Sequence, residues 1–364
     1  MRIALVTSSY LPRPGELERH VHALARGLAH RGAQVEVLTQ DGTRELPPVS
    51  EFDGFVVRRF ASNAHFAVAP GLWEHLRHLA GSFDVVDVHT THMPLALAVA
   101  RAHPRRLIFT PYVVARRLLR WPNVRMTRLL VEQAARTVCA SLAEGELLSR
   151  NWPWAGSRVE VVPPTVDEAG IRMARPFAFP GSVVLAVGRL ERHKGIDRVI
   201  AALAGLDSGF RLAVVGGGSY RHRLLAHAVD LQVSSRLELV GAVPDAELHR
   251  WLRTARVTVA LADRDRSGLQ VMEALAAGTP VVASNIPVHW EAASHADGEG
   301  VKFLPPASSP LAVADAIREA AELDVPRAAP SRAPGPDELV ERMLAIYGRA
   351  LDGRPSVTGA PEAA

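Results

Sequence analysis

Short apolar runs alternate with amphipathic stretches along most of this 364-residue chain, and this alternation constrains the fold more than any other feature. Runs such as RIALVT (2–7) and QVEVLT (34–39) are typical of buried strands. Between them, ELERHVHALARGLAHR (16–31) places its leucines and Val21 on one helical face. Strands separated by helices predict a parallel sheet with helices on both faces.

The pattern occurs twice. The first set of predicted strands covers 2–7, 34–39, 84–89, 106–110, 137–140 and 158–163, and the second covers 182–188, 211–216, 236–241, 256–261 and 280–284. The proline-rich stretch 161–181 between the sets has no sustained periodicity and predicts an interdomain linker. The sequence therefore predicts two α/β domains with doubly wound parallel sheets, with a ligand site in the cleft between them.

The predicted boundaries follow from this organisation. We expect an N-terminal domain over 1–165, a C-terminal domain over 166–335, a C-terminal helix over 336–352 that packs back on the N-terminal domain, and a disordered tail over 353–364.

Composition excludes several classes of protein. Hydrophobic residues make up 48% and charged residues 22%, which is ordinary for a globular protein and excludes general disorder. We find neither a signal peptide nor an apolar run long enough to span a bilayer. The single cysteine, Cys139, excludes an intramolecular disulfide and indicates a reducing compartment, so we expect a cytoplasmic protein.

Positive charge is concentrated in one segment. The net charge is only +4, yet residues 88–131 contain eight arginines and no acidic residue. Three interpretations of the arginine-rich stretch 101–128 stay open: a solvated flank, a peripheral contact with the inner face of the membrane, and a site for an anionic acceptor. Nucleic-acid binding is not expected, because aromatic residues make up only 5% of the chain and its remainder is acidic.

The first candidate site lies in VGRLERHKG (187–195). Arg189 follows a predicted strand end and Lys194 lies at a predicted helix start, and such loops meet ligands at the carboxyl ends of parallel strands. Arg189 and Lys194 could clamp a diphosphate, and the alternative is a solvated basic loop. Lys194 and Lys302 are the only lysines of the chain, and all its other basic side chains of this charge are arginines. A lysine kept at position 194 indicates that the compact ammonium suits this position better than a planar guanidinium.

The second candidate site lies in DRDRSGLQVMEALAAGTPVVAS (263–284). Gly268 permits close backbone approach at a helix start, where free N–H groups could meet phosphate oxygens. Glu273, one turn into that helix, could accept the two hydroxyls of a ribose. Asp265 would meet a part of the ligand beyond the phosphates. A divalent metal held by residues 263–265 is the less favoured alternative, and we expect no metal.

The glycines of GGGSYR (216–221) suggest a dinucleotide fingerprint, but Arg221 stands where its third glycine belongs. The stretch also follows the second strand of its domain. We therefore expect no NAD(P) site here, and interpret Gly216 as part of a tight turn near the nucleotide.

These stretches, together with ELVGAVPDAELHRWLRTARV and the residues 9–39, resemble the family 4 retaining glycosyltransferases, whose GT-B fold has two Rossmann-like domains. The resemblance covers roughly residues 1–325. It implies transfer of a sugar from a UDP- or GDP-linked donor with retention and with no further cofactor, by front-face displacement. It also implies a catalytic group and a set of donor contacts. The catalytic group is Arg189, Lys194 and Asp265, and the donor contacts are Gly15, Glu16, Gly188, Arg189, Lys194, Gly216, Val243, Asp265, Ser267, Gly268, Leu269 and Glu273.

The chain departs from the family pattern at three positions. Glu16 stands where a second glycine is usual, Asp265 where glutamate is usual, and Tyr112 where histidine is usual. His89, His92 and Tyr112 are the candidates for contacts with the acceptor, and strand-end histidines without a ligand role are the alternative for the first two.

Two other functions stay open from the sequence: a sugar-nucleotide epimerase of the same architecture, and a catalytically degenerate nucleotide-sugar-binding partner protein. The donor base and sugar, the acceptor (a small molecule or a lipid-linked one) and the oligomeric state are not determined by these residues.

Overall fold

The computed structural model describes residues 1–12, 15–42, 45–62, 68–78, 81–103, 106–112, 118–120, 123–295, 300–323 and 334–352. The chain divides into two compact units. Unit 1 comprises Met1–Cys139, Glu144–Val162 and Asp337–Ala364, and unit 2 comprises Ala140–Ala143 and Pro163–Pro336. The predicted disordered tail, 353–364, lies outside the described residues.

Unit 1 is built on an eight-stranded sheet of order β3-β4-β2-β1-β5-β6-β7-β8. All pairs are parallel except β3 and β4, which form an antiparallel pair. Its elements are β1 (Arg2–Thr7), α1 (Glu16–His30), β2 (Gln34–Asp41), β3 (Val49–Phe52), β4 (Phe55–Ala61), α2 (Pro70–His78), β5 (Val85–Thr90), α3 (Met93–Ala102), β6 (Leu107–Pro111), α4 (Asn123–Gln133), β7 (Arg136–Cys139), α5 (Leu142–Asn151) and β8 (Val159–Val161).

Alternate residues of the unit 1 strands face two separate apolar layers, as the period of a strand requires. One layer joins Val6 and Leu38 to the helices α2, α3, α4 and α5. The other joins Leu5 and Val37 to α1 and to a helix from the end of the chain. The sheet is therefore covered on both faces.

The C-terminal helix α13 (Pro336–Asp352) belongs to the core of unit 1. Its Tyr347 hydroxyl donates to Asp87 Oδ2 at 2.7 Å, and both side chains are buried. It passes close to α1 at Gly27, where a Cβ would lie 2.3 Å from Val340 Cγ2. The last helix of the chain thus completes the layer that also contains α1.

Unit 2 is built on a six-stranded sheet of order β11-β10-β9-β12-β13-β14, parallel throughout. Its elements are α6 (Glu168–Met173), β9 (Ser182–Val187), α7 (Ile196–Leu203), β10 (Phe210–Val215), α8 (Arg221–Asp230), β11 (Leu237–Gly241), α9 (Asp245–Thr254), β12 (Val257–Ala260), α10 (Leu269–Ala276), β13 (Val281–Ser284), α11 (Pro287–Ser294), β14 (Val301–Leu304) and α12 (Pro310–Glu322). Helices α7, α8 and α12 cover one face, and α6, α9, α10 and α11 cover the other.

The prediction of two doubly wound α/β sheets is confirmed. The interpretation of 161–181 as a plain linker is corrected, because α6 lies within it. Asp167 caps that helix by accepting from the Gly170 N–H at 2.9 Å, and Ile171 is fully buried against unit 2. The segment lacked an obvious period because the helix has only six residues.

The hairpin β3–β4 is an element that the sequence prediction missed. Asp53 and Gly54 form its turn with positive φ values of 35° and 87°. An Asp-Gly pair between two alternating stretches is the usual sign of such a turn, so the signal was present in the sequence.

Candidate functional site

The loop after β9 carries the first candidate residues. Gly188 has a φ of +137°, and a short turn at Arg192–Lys194 leads into Gly195, whose φ of +66° opens α7. A Cβ on Gly188 would lie 2.9 Å from Gln270 Nε2 and 3.8 Å from Lys194 Cε. Gly188 therefore marks the place where this loop meets the first turn of α10.

Lys194 and Asp265 form an ion pair within unit 2. Lys194 Nζ lies 3.1 Å from Asp265 Oδ1, and the two side chains are 12% and 9% exposed. Burial raises the pKa of the Asp265 carboxyl, but the Lys194 ammonium and a hydrogen bond from His289 outweigh it and hold that pKa well below its usual range. The pair is therefore ionised at neutral pH, with the ammonium held in one place.

The start of α10 lies in the same region. Its N-cap, Gly268, has a φ of +66°, and a Cβ there would meet Ala292 Cβ at 2.6 Å and Val288 O at 2.9 Å. Only glycine fits this position, and glycine offers no side-chain oxygen to the first N–H groups of the helix. Ser267 and Leu269 on either side are buried. Such a start favours an anion.

Glu273 lies one turn into α10 and is buried, at 5% exposure. It shares the helical face of Leu269, as the sequence predicted. A carboxylate in that place can accept hydrogen bonds from a pair of hydroxyls.

Gly216 lies at the carboxyl end of β10, beside Gly188. Its φ is +144°, and a Cβ on it would lie 1.9 Å from the carbonyl oxygen of Gly188. The loops after β9 and β10 therefore pack backbone against backbone, which agrees with the predicted tight turn.

Arg189 and Val243 occupy different surroundings from the Lys194–Asp265 pair. The Arg189 side chain is 70% exposed, and its Nη1 lies 2.6 Å from Glu191 Oε1. Val243, in the loop after β11, is half-buried against the apolar layer of α9 and α10. The structure records no direct contact of either side chain with Lys194 or Asp265 among the residues it describes.

Two residues that the sequence analysis missed belong to this region. His289, the third residue of α11, is buried with Nε2 3.4 Å from Asp265 Oδ2. Gln270 faces Gly188. His289 stands 24 residues after Asp265, on another element, so no spacing rule for a single helix could have linked them.

In unit 1, Gly15 and Glu16 open α1. Gly15 is the N-cap in an extended conformation with a φ of −177°, which any residue can adopt. Glu16 begins the first helical turn, where the helix dipole favours a carboxylate.

His89, predicted as an acceptor contact, is fully buried at the end of β5. Its Nε2 lies 3.0 Å from Asp87 Oδ2. His20 and Tyr112, both half-buried, pack their rings against it with centroids 5.5 and 6.1 Å away. A fully buried ring does not contact an acceptor in this conformation, and His20 is the half-buried histidine of this cluster.

His92 is the N-cap residue of α3 and is half-buried. Burial lowers the pKa of its imidazole, so the ring is neutral at pH 7 and can both donate and accept a hydrogen bond. His92 and Tyr112 both lie at the carboxyl edge of the unit 1 sheet, on adjoining strand ends.

Comparison with known proteins identifies the family. A family model described as glycosyl transferases group 1 matches residues 176–333, and one described as Glycosyltransferase Family 4 matches residues 17–169. The D-inositol 3-phosphate glycosyltransferases of Acidothermus cellulolyticus and Thermobifida fusca are 30% and 31% identical, over 75% and 78% of this chain and 71% and 78% of those proteins. The chain belongs to the family 4, group 1 glycosyltransferases.

Solved structures agree with this glycosyltransferase at the level of fold. Sucrose-phosphate synthase from Thermosynechococcus elongatus has a TM-score of 0.72 at 20% identity, covering 96% of both chains. HepE of Anabaena in complex with UDP-glucose has a TM-score of 0.71 at 18% identity, covering 97% of this chain and 98% of that one. The fold is GT-B.

Two kinds of feature are absent from the described part of this glycosyltransferase. Among the residues that the structure describes, no helix is long and apolar enough to cross a bilayer. In the same residues, no three histidine, cysteine or acidic side chains come together as metal ligands would.

Proposed function

We propose that this glycosyltransferase takes a sugar from a nucleoside diphosphate donor, bound by unit 2, and transfers it to an acceptor hydroxyl with retention. The observation that carries the proposal is the ammonium of Lys194, held at 3.1 Å from Asp265 beside the glycine-capped start of α10. A positive charge and a helix N-terminus in one place suit a diphosphate.

The other donor contacts follow from this placement. Leu269 and Ser267 contribute backbone at the helix start, and the buried Glu273 carboxylate accepts the two ribose hydroxyls. Arg189 is exposed beside Glu191, so it reaches the diphosphate by leaving that ion pair. HepE, of similar fold, is described in complex with UDP-glucose, which supports a uridine donor as the first to test and guanosine as the second.

In the proposed reaction, the acceptor oxygen bonds to the anomeric carbon while the bond from that carbon to the β-phosphate oxygen breaks. The acceptor proton moves to a β-phosphate oxygen on the same face. The enzyme supplies charge stabilisation to the leaving diphosphate rather than a nucleophile. This role fits a site where Asp265 is already engaged by Lys194 and His289.

We propose that the acceptor binds at the carboxyl edge of the unit 1 sheet, beside His20, His92 and Tyr112. Several curated relatives are named for D-inositol 3-phosphate, and one from Mycobacterium leprae, at 28% identity, is named a phosphatidyl-myo-inositol mannosyltransferase. These names support a polyol, free or lipid-linked, as the acceptor class for a first screen.

The experiment that tests the donor site uses Lys194→Ala, with Lys302→Ala as the matched control on the other lysine. Lys302 pairs with Glu319 and is 35% exposed. We expect Lys194→Ala to bind UDP and GDP at least about tenfold more weakly in calorimetric titration, since it removes a charge-assisted contact. Lys302→Ala should bind as the wild type does.

Transfer should follow the same order, with Lys194→Ala retaining less than about a tenth of the wild-type rate. The anomeric configuration of the product, read from its NMR coupling constant, tests retention. Conversion of the donor in the absence of any acceptor would instead indicate an epimerase. A Lys194→Ala enzyme with wild-type nucleotide affinity would refute the proposed donor site.

We also propose a weak electrostatic contact of unit 1 with anionic lipid. Arg101, Arg120 and Arg125 are exposed, whereas Arg106 donates to the carbonyls of Gly81 and Phe83. Arg128 pairs with Glu132 at 2.8 Å. Arg105, Arg116 and Arg117 lie outside the described residues. Because Thr127, Leu130 and Val131 of α4 face the core, no apolar face of this helix is left to insert into a bilayer.

A further inference from the structure

The imidazole of His289 lies between two hydrogen-bond acceptors. Its Nδ1 is 3.0 Å from the carbonyl oxygen of Ser284, at the end of β13. Its Nε2 is 3.4 Å from Asp265 Oδ2, and only 1% of the side chain is exposed. Burial leaves no solvent to replace either partner, so the protonation of the ring is decided by these two contacts.

Both partners can only accept. A carbonyl oxygen has no proton to give, and the Asp265 carboxylate is held ionised by Lys194, which keeps its pKa well below the usual range. A neutral imidazole donates from one nitrogen and would turn the lone pair of the other toward an acceptor. Only the imidazolium donates from both nitrogens. We assign the ring hydrogens from these partners.

The carboxylate of Asp265 is therefore shared between two cations. Its Oδ1 accepts from Lys194 Nζ at 3.1 Å and from the Arg266 N–H at 3.0 Å, while Oδ2 faces His289. With a neutral ring, Lys194 and Asp265 would cancel and the group would carry no net charge. With the imidazolium, the three side chains carry +1. That charge lies beside the start of α10.

We propose that His289 is a positioning residue of the donor site, whose imidazolium fixes the Asp265 carboxylate and offsets its charge, so that the group keeps a net positive charge that attracts the donor diphosphate. This inference rests on the proposed donor site. In this inference Asp265 also holds the Lys194 ammonium in place, besides any contact with the sugar. The Asp265 side chain is one methylene shorter than the glutamate that is usual in the family pattern. Its two carboxylate oxygens lie within hydrogen-bond distance of Lys194 and His289.

Two further carboxylates stand on α11 and on the helix packed against it. Helix α10, packed against α11, contributes the buried Glu273, and α11 contributes Glu291. Both are carboxylates and act in the same sense as Asp265, because negative charge stabilises an imidazolium. Lys194 acts in the opposite sense from the far side of Asp265.

Two substitutions separate position from charge. His289→Phe removes both donors, and we expect UDP or GDP to bind at least about tenfold more weakly. His289→Gln keeps one neutral donor near Asp265, so we expect a loss of about threefold. His222→Gln, at an exposed position on α8, is the matched control and should leave affinity unchanged.

A direct reading of the ring completes the test. In a nitrogen-15 NMR spectrum at pH 6, the wild type should show one buried histidine with both ring nitrogens protonated, absent from His289→Gln. A singly protonated His289, or wild-type affinity in both variants, would overturn the inference. If the wild type binds neither nucleotide, the proposed donor site fails, while the NMR spectrum still decides the protonation of His289.

Discussion

At the scale of single residues, the two lysines show how burial changes the part that a charge plays. Lys302 makes an exposed pair with Glu319, which contributes little to stability. Lys194 is 12% exposed and paired with a buried carboxylate, so removing Asp265 would leave the ammonium without this counterion. Lys302 is thus a surface charge, whereas Lys194 contributes a fixed charge to the candidate site.

The backbone contact between Gly216 and Gly188 gives a prediction at the same scale. Gly216→Ala would bring a methyl group to 1.9 Å from the Gly188 carbonyl oxygen at a φ of +144°. We expect the free energy of unfolding to fall by about 1–3 kcal/mol, with weaker nucleotide binding because the loop carrying Lys194 must shift. Urea denaturation and calorimetry measure the two effects.

Gly217→Ala is the control for this substitution, since a Cβ there meets nothing within 4 Å. It should change stability by less than about 0.5 kcal/mol. Equal stabilities of the two variants would show that the loops after β9 and β10 can separate without loss.

The residue scale is also where prediction from the sequence reached its limit. Lys194, Gly268 and Glu273 could be located because each follows a strand end or a helix start within a short run. His289 and His20 could not, since their partners, Asp265 and His89, are distant in the sequence and only the parallel order of the strands brings them together. His89 was named because it ends a strand, but burial in the interior is not visible in a spacing pattern.

At the scale of elements, α13 has the most consequence for its surroundings. It inserts Leu339, Val340, Met343, Ile346 and Tyr347 into a layer made by distant strands. The helix could be predicted from its apolar period. Its hydrogen bond to β5 could not, because neither Asp87 nor Tyr347 carries a local signal for the other.

Tyr347→Phe tests this hydrogen bond. The change removes a donor from the buried Asp87, whose Oδ1 also accepts from Thr110 at 2.9 Å. We expect the free energy of unfolding to fall by about 1–3 kcal/mol in urea at pH 7. Tyr220→Phe, which deletes the same hydroxyl where Arg223 lies over the ring, is the matched control and should lose less than about 0.5 kcal/mol.

The same side chain predicts a pH dependence. Burial, and then the carboxylate of Asp87, hold the pKa of Tyr347 well above its usual range. A raised folded pKa gives stability that is complete below the unfolded value of about 10 and is lost as the pH rises above it. The wild type should therefore lose more stability above roughly pH 10 than Tyr347→Phe does. Parallel losses in the two proteins would contradict this.

At the scale of the whole molecule, charge is divided unevenly. The net charge of +4 conceals eight arginines between residues 88 and 131 and a net −4 elsewhere. Several of these arginines are used within unit 1, as Arg106 and Arg128 are. The remaining exposed ones give a local field rather than a general affinity for polyanions.

Binding to lipid vesicles tests the proposed membrane contact. We expect partial co-sedimentation with vesicles rich in anionic lipid at low salt and release near physiological salt, because three exposed arginines contribute about 1 kcal/mol each and are screened. Arg125→Glu should reduce binding, whereas Arg256→Glu, exposed on unit 2, should not. Absence of binding at low salt would exclude the contact.

The two sheets could be predicted at this scale because each repeats the same alternation of apolar runs and helices. The discontinuous make-up of unit 1 could be anticipated only as a helix returning to the first domain. Unit 1 is completed by residues from Asp337 onward. Where this last helix packs depends on which part of the assembled sheet lacks an apolar cover, and that is a property of all the strands together.

Because α13 completes unit 1, the order of synthesis cannot be the order of folding. Every strand of unit 1 is translated before the first strand of unit 2, yet the layer containing Leu5 and Val37 stays incomplete until Leu339 to Tyr347 leave the ribosome. Unit 2, which is nearly contiguous, can close first. Until then a nascent chain displays a sheet face that α1 covers only in part. We therefore expect a chain that is terminated early to aggregate or to engage chaperones.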